Sequence, residues 1–285
     1  MRLLNSYQYY PKPRAIYSLR YFPRTEYAGD VILVRRGSDN AESGFNPSEI
    51  SDGTLATFCG ASDGFIKTWY DQSGNGLDAT QETTTYQPKI YYSATGLVTD
   101  GGQPAIQFAP APRDYLRSPN LGLTWVGSSD NTPGSNHSFF LVFTPNGSVE
   151  FNSVLSFSSG TNQNPATILE YNPTILPGSF TYGGRNAVWQ VASVQVVGQR
   201  NLVSVVQYGI NAVGYFLNTY ANGQVNGETG NVGWVDITGN ISIGARHDNA
   251  LPFIGFMQEL VIFDSALMSS RVLVEDDINS YYGIY

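Results

Sequence analysis

The stretch WYDQSGNG, residues 69–76, follows an apolar run and decides how the first half of the chain is read. It predicts a strand that ends in a polar, glycine-punctuated loop, because Asp71 and Ser73 can fold their side-chain oxygens onto backbone amides two or three residues further on. Gly74 and Gly76 supply the positive φ that such turns need. We therefore assign these four residues to a structural loop, with a calcium or sugar ligand role for Asp71 as the alternative.

Outward from this loop, short apolar or alternating segments recur at intervals of roughly 8–15 residues, with Gly, Pro, Asn and Ser between them. Strands are predicted at 15–20, 31–36, 88–91, 105–108, 138–143, 153–157, 167–171, 179–182, 202–208, 215–220 and 241–245. This spacing favours an all-β fold, an antiparallel β-sandwich or jelly roll, because no βαβ pattern appears.

One longer helix is predicted near the C-terminus. Val274, Ile278, Tyr281 and Tyr282 recur at helical spacing, and Gly283 provides a stop. We expect this helix to lie along the sandwich with all four of these side chains facing it.

The chain divides into an extended N-terminal arm, residues 1–14, and a single domain, residues 15–285. Pro11 and Pro13 forbid a helix in the arm and favour an extended path, so we expect it to dock onto a neighbour. No linker divides the remainder. The arm lacks the continuous apolar region of a secretory signal, so we expect no export by that route.

Composition excludes several classes of protein. A single cysteine, Cys59, rules out an intramolecular disulfide and a cysteine-based metal cluster, and we expect neither metal nor cofactor. The net charge is −8 and the basic residues do not cluster beyond Arg35 and Arg36, which argues against nucleic acid as a partner. No apolar stretch approaches the roughly 18 residues that membrane insertion needs.

The same composition is compatible with glycan contact. Charged residues and aromatic residues each make up 13% of the chain, and 19 residues are tyrosine. Such a neutral, polar and aromatic surface suits sugars or burial in a larger assembly. Trp125 and Trp234 border Gly-rich loops, so with Asp248 they are the candidate glycan-binding residues.

Several segments together resemble a known group of folds. They are YSLR (17–20), VRRGSDN (34–40), FIKTWYDQSGNGLDATQ (65–81), GFMQELVIF (255–263) and INSYY (278–282). This set resembles the concanavalin A-like, laminin-G-like jelly rolls of bacteriophage virion and tail proteins. The N-terminal half is also similar to the catalytic domain of the fungal α-L-arabinofuranosidase B family, in which a related R-G-S-D stretch and Y-D-Q-S-G-N-G occur.

The arabinofuranosidase resemblance implies an acid/base and a nucleophile. It places the acid/base aspartate of a Gly-Asp-Asn turn at Asp248, within residues 244–249. It places the nucleophilic glutamate at Thr167, and Glu170 stands three residues further on, where it could serve only with a shifted strand register. We therefore expect a shared scaffold without the chemistry: no catalytic residues, with Asp248 as the one candidate.

The resulting hypothesis is a non-enzymatic phage virion structural protein that decorates the particle or contacts a receptor or glycan. Its expected partners are other virion proteins, copies of itself and host-surface glycan, and its expected location is the virion, assembled in the host cytoplasm. The first alternative is a lectin-like, glycan-binding module. The second is an arabinofuranosidase-like glycoside hydrolase.

Overall fold

A computed structural model gives the fold. It describes residues 10–111, 113–123, 136–146, 152–158, 167–171, 179–183, 190–193, 198–210, 214–232 and 240–285. For 152, 158, 167–171, 179–183, 190–193, 209–210, 214–217 and 226–232 the description concerns the backbone alone.

The strands are antiparallel partners of one another along every ladder between described strands. In the first half they are β1 Ala15–Ser18, β2 Ile32–Arg36, β3 Glu42–Phe45, β4 Gly64–Trp69, β5 Ala79–Thr80, β6 Lys89–Tyr92, β7 Gly96–Leu97, β8 Thr99–Asp100, β9 Gln103–Pro104, β10 Ile106–Phe108 and β11 Leu116–Asn120. In the second half they are β12 His137–Pro145, β13 Asn152–Ser158, β14 Thr167–Tyr171, β15 Ser179–Gly183, β16 Gln190–Ser193, β17 Asn201–Ile210, β18 Gly214–Ala221, β19 Gln224–Val232, β20 Asn240–Ile243 and β21 Gly255–Phe263.

In the described part of the chain three α-helices accompany the strands: α1 Pro47–Ser51, α2 Thr54–Cys59 and α3 Arg271–Tyr282. A short 3₁₀ helix spans Thr84–Tyr86. None of the described helices has the length and apolarity needed to cross a membrane.

The strands form two layers. One layer has the order β3-β2-β4-β5-β11-β20-β13-β14-β15-β16. The other runs β7-β6-β10-β21-β12-β17-β18-β19, with β1 beside β10 along β21. Strand β4 also pairs with β6 and so joins the layers. The predicted antiparallel β-sandwich is confirmed.

The main core lies between the layers. Trp69, Phe139, Phe143 and Phe253 are among its fully buried side chains. Cys59 is also buried here, and burial raises the pKa of its thiol to about 11. Alternating side chains along each strand then point away from this core, and that outer face carries the polar residues considered below.

The C-terminal helix is confirmed and covers the outer face of the second layer. Val274, Ile278 and Tyr282 are buried in a second cluster against strand residues of β12 and β21. Gly283 ends α3 in the left-handed conformation. Tyr281 is 40% exposed, contrary to the prediction. The other three side chains form the stripe that contacts the sheet. Tyr281 lies at the edge of this stripe, where its hydroxyl donates a hydrogen bond to Gln103.

The 69–76 loop fastens β1 to the rest of the fold. Asp71 is buried, and its Oδ1 accepts hydrogen bonds from the backbone amides of Ile16 and Ser73, both at 2.9 Å. Its Oδ2 accepts from Ser73 Oγ at 2.7 Å and from the amide of Leu77 at 3.1 Å. Gly74 has a positive φ of 79° and Gly76 one of 69°.

The described end of the N-terminal arm packs on this same domain. The Tyr10 side chain is buried, with its ring edge-on to Phe263 at a centroid separation of 5.8 Å. Its hydroxyl donates to Asp277 Oδ2 at 2.8 Å. The amide of Arg14 donates to the carbonyl of Ile262 and extends the β1 pairing.

Candidate functional site

The candidate site is built around the loop that follows β20. Gly244 turns the chain at a φ of 91°, a conformation that side chains on L-residues rarely adopt. A Cβ added there would lie 2.2 Å from the ring of Phe108. Glycine is therefore needed both for the turn and for the close approach, and the loop 244–249 begins at a fixed point.

Asp248 is held within this loop by Arg246. The guanidinium donates from Nε to Oδ1 at 2.8 Å and from Nη2 to Oδ2 at 2.6 Å. The amide of Ala250 also donates to Oδ1, at 3.0 Å. The hydrogen bonds from Arg246 are the main reason that the pKa of Asp248 falls to about 2. The side chain is a carboxylate at neutral pH and can accept further hydrogen bonds.

The chain contains a second copy of this arrangement. Arg36 donates to Asp39 from Nε at 2.9 Å and from Nη2 at 2.7 Å, and the amide of Ala41 donates to Oδ1 at 3.1 Å. The pKa of Asp39 is likewise lowered to about 2, chiefly by the hydrogen bonds from Arg36. The two aspartates share local chemistry and differ in what surrounds their loops.

Neighbouring strands anchor the loop 244–249. Arg117 of β11 donates from Nη2 to Asn249 Oδ1 at 2.7 Å and to the carbonyl of His247. Arg113 donates to the carbonyl of Asn249 at 3.1 Å. The amide of His247 donates to Ser156 Oγ of β13 at 3.3 Å. Loop 244–249 therefore bridges β11 and β13 across β20.

Below this loop runs a polar row of four residues, Thr80, Arg117, Ser242 and Ser156, paired in register across β5, β11, β20 and β13. Residues directly opposite one another on neighbouring strands project from one face of the sheet. Ser242 Oγ is buried and has no hydrogen-bond partner among the described residues. Buried hydroxyls are normally satisfied, so this oxygen is an unused polar group beneath the loop.

A second carboxylate-bearing segment approaches from the far side of β13. The amide of Ser153 donates to the carbonyl of Leu251 at 2.9 Å, and Ser153 also bridges to Pro252. On its other side Ser153 pairs in register with Glu170 of β14, whereas Thr167 pairs with Phe157. Leu251 and Pro252, which follow the loop 244–249, therefore lie on one side of Ser153, and the backbone of Glu170 lies on the other.

Strand β13 carries a register irregularity between Ser153 and Leu155. An extra residue at such a bulge shifts the pairing by one position and re-aims the strand. The irregularity belongs to β13, whereas the pairing of β14 advances one residue at a time from Thr167 to Glu170.

The remaining candidate residues are placed as follows. Trp125 and Trp234 lie outside the described residues. Among the described residues, no group of three or more His, Cys, Asp or Glu side chains could hold a metal ion. Arg117, Ser156 and Ser242 were not found from the sequence, because nothing in their strands distinguishes them from the other polar residues there. Only the strand register brings them together.

No protein-family model matches the chain, and no curated protein matches it. Solved structures do. A mutant GH54 α-L-arabinofuranosidase soaked with 4-nitrophenyl α-L-arabinofuranoside matches 96% of this chain with a TM-score of 0.63 at 16% sequence identity. A GH54 α-L-arabinofuranosidase soaked with a cyclic sulfate inhibitor matches with a TM-score of 0.64 at 15% identity, again over 96% of this chain.

A Trypanosoma rangeli sialidase in complex with sialic acid has a TM-score of 0.50 at 13% identity over 75% of this chain and 31% of its own. The chain spans 63% of the length of the arabinofuranosidase structures. At these identities the comparisons show a shared fold.

The prediction that the chain is not an enzyme is overturned by this comparison. The structures that share the fold over almost the whole chain are glycosidases. The prediction relied on the absence of a carboxylate at Thr167.

Proposed function

We propose that this chain is a carbohydrate-recognising domain with an arabinofuranosidase-type β-sandwich, and that it binds glycan where the loop 244–249 crosses the polar row. The observation that carries the proposal is the Asp248 carboxylate on a loop that Arg117 and Ser156 anchor. Sugar hydroxyls both donate and accept hydrogen bonds, and this site offers an ionised acceptor on a loop that the Arg117 guanidinium holds in place.

Pre-organisation supports the same proposal. The loop is held by Arg117 and by the Ser156 hydroxyl, so a bound sugar does not have to order it. A fixed site avoids part of the entropic cost of binding. The similarity to arabinofuranosidases suggests which ligand to test first. A further arabinofuranosidase structure contains arabinofuranosyl-α-1,2-xylobiose, so an arabinofuranosyl unit on a xylo-oligosaccharide is the first choice.

The test is a glycan array followed by calorimetry on the glycans that bind. Arabinofuranosylated xylo-oligosaccharides and sialylated glycans should both be included. We expect saturable binding that Asp248→Asn weakens about tenfold, the loss of one charge-assisted hydrogen bond. Asp39→Asn is the matched control, because it removes the same charge from the same local geometry, and it should leave the affinity unchanged.

Hydrolysis of an arabinofuranoside is the second candidate function. The observation that favours it is that the Glu170 backbone and the segment 251–252, which follows the loop 244–249, lie on opposite sides of Ser153. A retaining glycosidase uses one carboxylate to attack the anomeric carbon and a carboxylic acid to protonate the departing oxygen, after which water releases the sugar. Asp248 could act as this acid only after Arg246 moves away, because their hydrogen bonds keep its pKa at about 2.

Release of 4-nitrophenol from 4-nitrophenyl α-L-arabinofuranoside tests this second function. Turnover should fall by about a thousandfold or more in both Asp248→Asn and Glu170→Gln if the pair is catalytic. Asp39→Asn should keep the wild-type rate. Binding without turnover in the wild type would leave the glycan-binding proposal intact and remove the hydrolase.

We also retain the virion as a proposed location, with other virion proteins and copies of this chain as partners after assembly in the host cytoplasm. It is supported by the sequence resemblance to phage jelly rolls. Mass spectrometry of purified particles should find the chain at a fixed ratio to a capsid or tail protein. Its absence from washed particles would contradict this location.

A further inference from the structure

A second polar row crosses strands β2, β4, β6 and β10. Arg35 pairs in register with Phe65, Phe65 with Lys89, and Lys89 with Gln107. Directly opposed residues share one face of a sheet, and the apolar positions next to them belong to the main core. The row therefore lies on the outer face of these strands.

This row forms part of a cavity of about 580 Å³, which Tyr92 and Asp114 also line. Small-molecule sites in proteins commonly measure roughly 300–1,000 Å³. None of the lining residues belongs to the loop 244–249. The cavity is therefore large enough for a sugar unit and is built from different residues than the site proposed above.

Arg35 brings a buried positive charge to this cavity. The residue is only 6% exposed. Its guanidinium donates to Gln87 Oε1 at 2.6 Å, to Asn40 Oδ1 at 2.9 Å and to the carbonyl of Thr84 at 3.4 Å, and it lies 4.6 Å from the centroid of the Phe65 ring.

All three of these acceptors are neutral. Among the described residues, no carboxylate lies within ion-pair distance of Arg35. Burial lowers the pKa of Arg35, against an opposing effect of Glu42. Since arginine has five N–H donors, the guanidinium keeps donor capacity for a planar, negatively charged acceptor, which is the group it binds best.

The other side of the cavity offers groups that suit hydroxyls. Asp114 is 6% exposed, and its Oδ2 accepts from the amide of Ala109 at 2.9 Å, which leaves Oδ1 without a hydrogen bond from the described residues. Gln107 accepts from the Tyr92 hydroxyl through Oε1 at 2.6 Å, and its amide nitrogen is available to donate. Lys89 Nζ donates a hydrogen bond to Asp63 Oδ2 at 2.9 Å and brings a second positive charge to the cavity.

We propose that this cavity binds a sugar unit that carries a carboxylate, a uronic acid, with the carboxylate at Arg35 and the hydroxyls at Asp114 and Gln107. A simple anion would leave Asp114 and Gln107 unused, and a neutral sugar would leave Arg35 without a charged partner. This inference goes beyond the proposed function and does not depend on it, because the two sites have no residue in common.

Calorimetry with D-galacturonate tests the proposal, with D-galactose and acetate as the neutral and the simple anionic probes. The variant Lys89→Met removes a positive charge from the cavity. Its matched control is Lys67→Met, because Lys67 has an equivalent bond to Glu42 at 3.0 Å but does not line the cavity. A second variant, Gln107→Glu, places a negative charge in the row with almost no change of shape.

We expect galacturonate to bind at least tenfold more tightly than galactose or acetate. Lys89→Met and Gln107→Glu should each weaken it at least tenfold, and Lys67→Met less than twofold. Circular dichroism and the melting temperature establish that each variant is folded. Equal affinity for galactose or for acetate, equal effects of the two lysine variants, or no binding by the wild type would overturn the proposal.

Discussion

Arg246 and Asp248 form a bidentate pair two residues apart, with donor–acceptor distances of 2.8 and 2.6 Å, in the loop that crosses the polar row of the first layer. The pair fixes the charge state and the direction of the one acidic side chain in the loop 244–249. Because the loop is anchored to β11 and β13 as well, the carboxylate is presented by a rigid part of the fold.

The depressed pKa of Asp248 predicts a specific pH dependence. The pKa is about 2 in the folded protein, below the ordinary aspartate value of 3.8. The pair therefore stabilises the fold above pH 3.8, and this contribution is lost as the pH falls towards 2. After allowance for partial exposure, we expect the wild type to lose about 1 kcal/mol relative to Asp248→Asn over this range. Urea unfolding at several pH values checks it, and parallel curves would contradict it.

Asp114 should show the opposite dependence. Burial raises its pKa to about 6, so the ionised form is disfavoured in the folded state. Its contribution to stability is complete below pH 3.8 and is lost as the pH rises through 6. Asp114→Asn should therefore gain about 2 kcal/mol on the wild type between pH 4 and pH 7.5. Denaturant titrations at both pH values measure the difference; no gain at pH 7.5 would show that the carboxyl is solvated.

Gly244→Ala should damage the candidate site through the fold. The new Cβ would lie 2.2 Å from the Phe108 ring, and φ is 91°. The comparison is Gly53→Ala, because Gly53 has a φ of 98° and no atom within 4 Å of an added Cβ. We expect the free energy of unfolding to fall by about 1 kcal/mol in the control and by at least about 3 kcal/mol in Gly244→Ala. Equal losses would mean that Phe108 moves freely.

Asp71→Asn should destabilise the whole domain. Its two carboxylate oxygens accept four hydrogen bonds, and an amide NH₂ group would face a donor in place of one of them. We expect a loss of about 2–4 kcal/mol in the free energy of unfolding. Asp52→Asn, at an exposed side chain that accepts from the amide of Thr54, should cost less than about 0.5 kcal/mol. If Asp71→Asn lowered the free energy of unfolding as little as the control does, Asp71 would not be the residue that holds β1 to the loop 69–76.

The strand pattern and the C-terminal helix could be predicted from the sequence because each depends on local periodicity. The loop 69–76 could be predicted for the same reason, because Asp71 accepts a hydrogen bond from the amide of Ser73 only two residues further on. Its bond to Ile16, 55 positions away, could not be inferred from that spacing.

The candidate site was harder to predict for a physical reason. Arg117, Ser242 and Ser156 meet only because three strands pair in one register. Short helix α1 was also not predicted, although Asn46 and Glu49 form a capping box at its start. The irregularity in β13 leaves no mark in the residues themselves.

Calorimetry with the arabinofuranosylated and sialylated oligosaccharides on the wild type, Asp248→Asn and Asp39→Asn tests the central claim most directly. Our account predicts saturable binding by the wild type and by Asp39→Asn, with affinity about tenfold lower for Asp248→Asn. Binding that both variants weaken equally, or no saturable binding of any glycan by the folded wild-type protein, would contradict it.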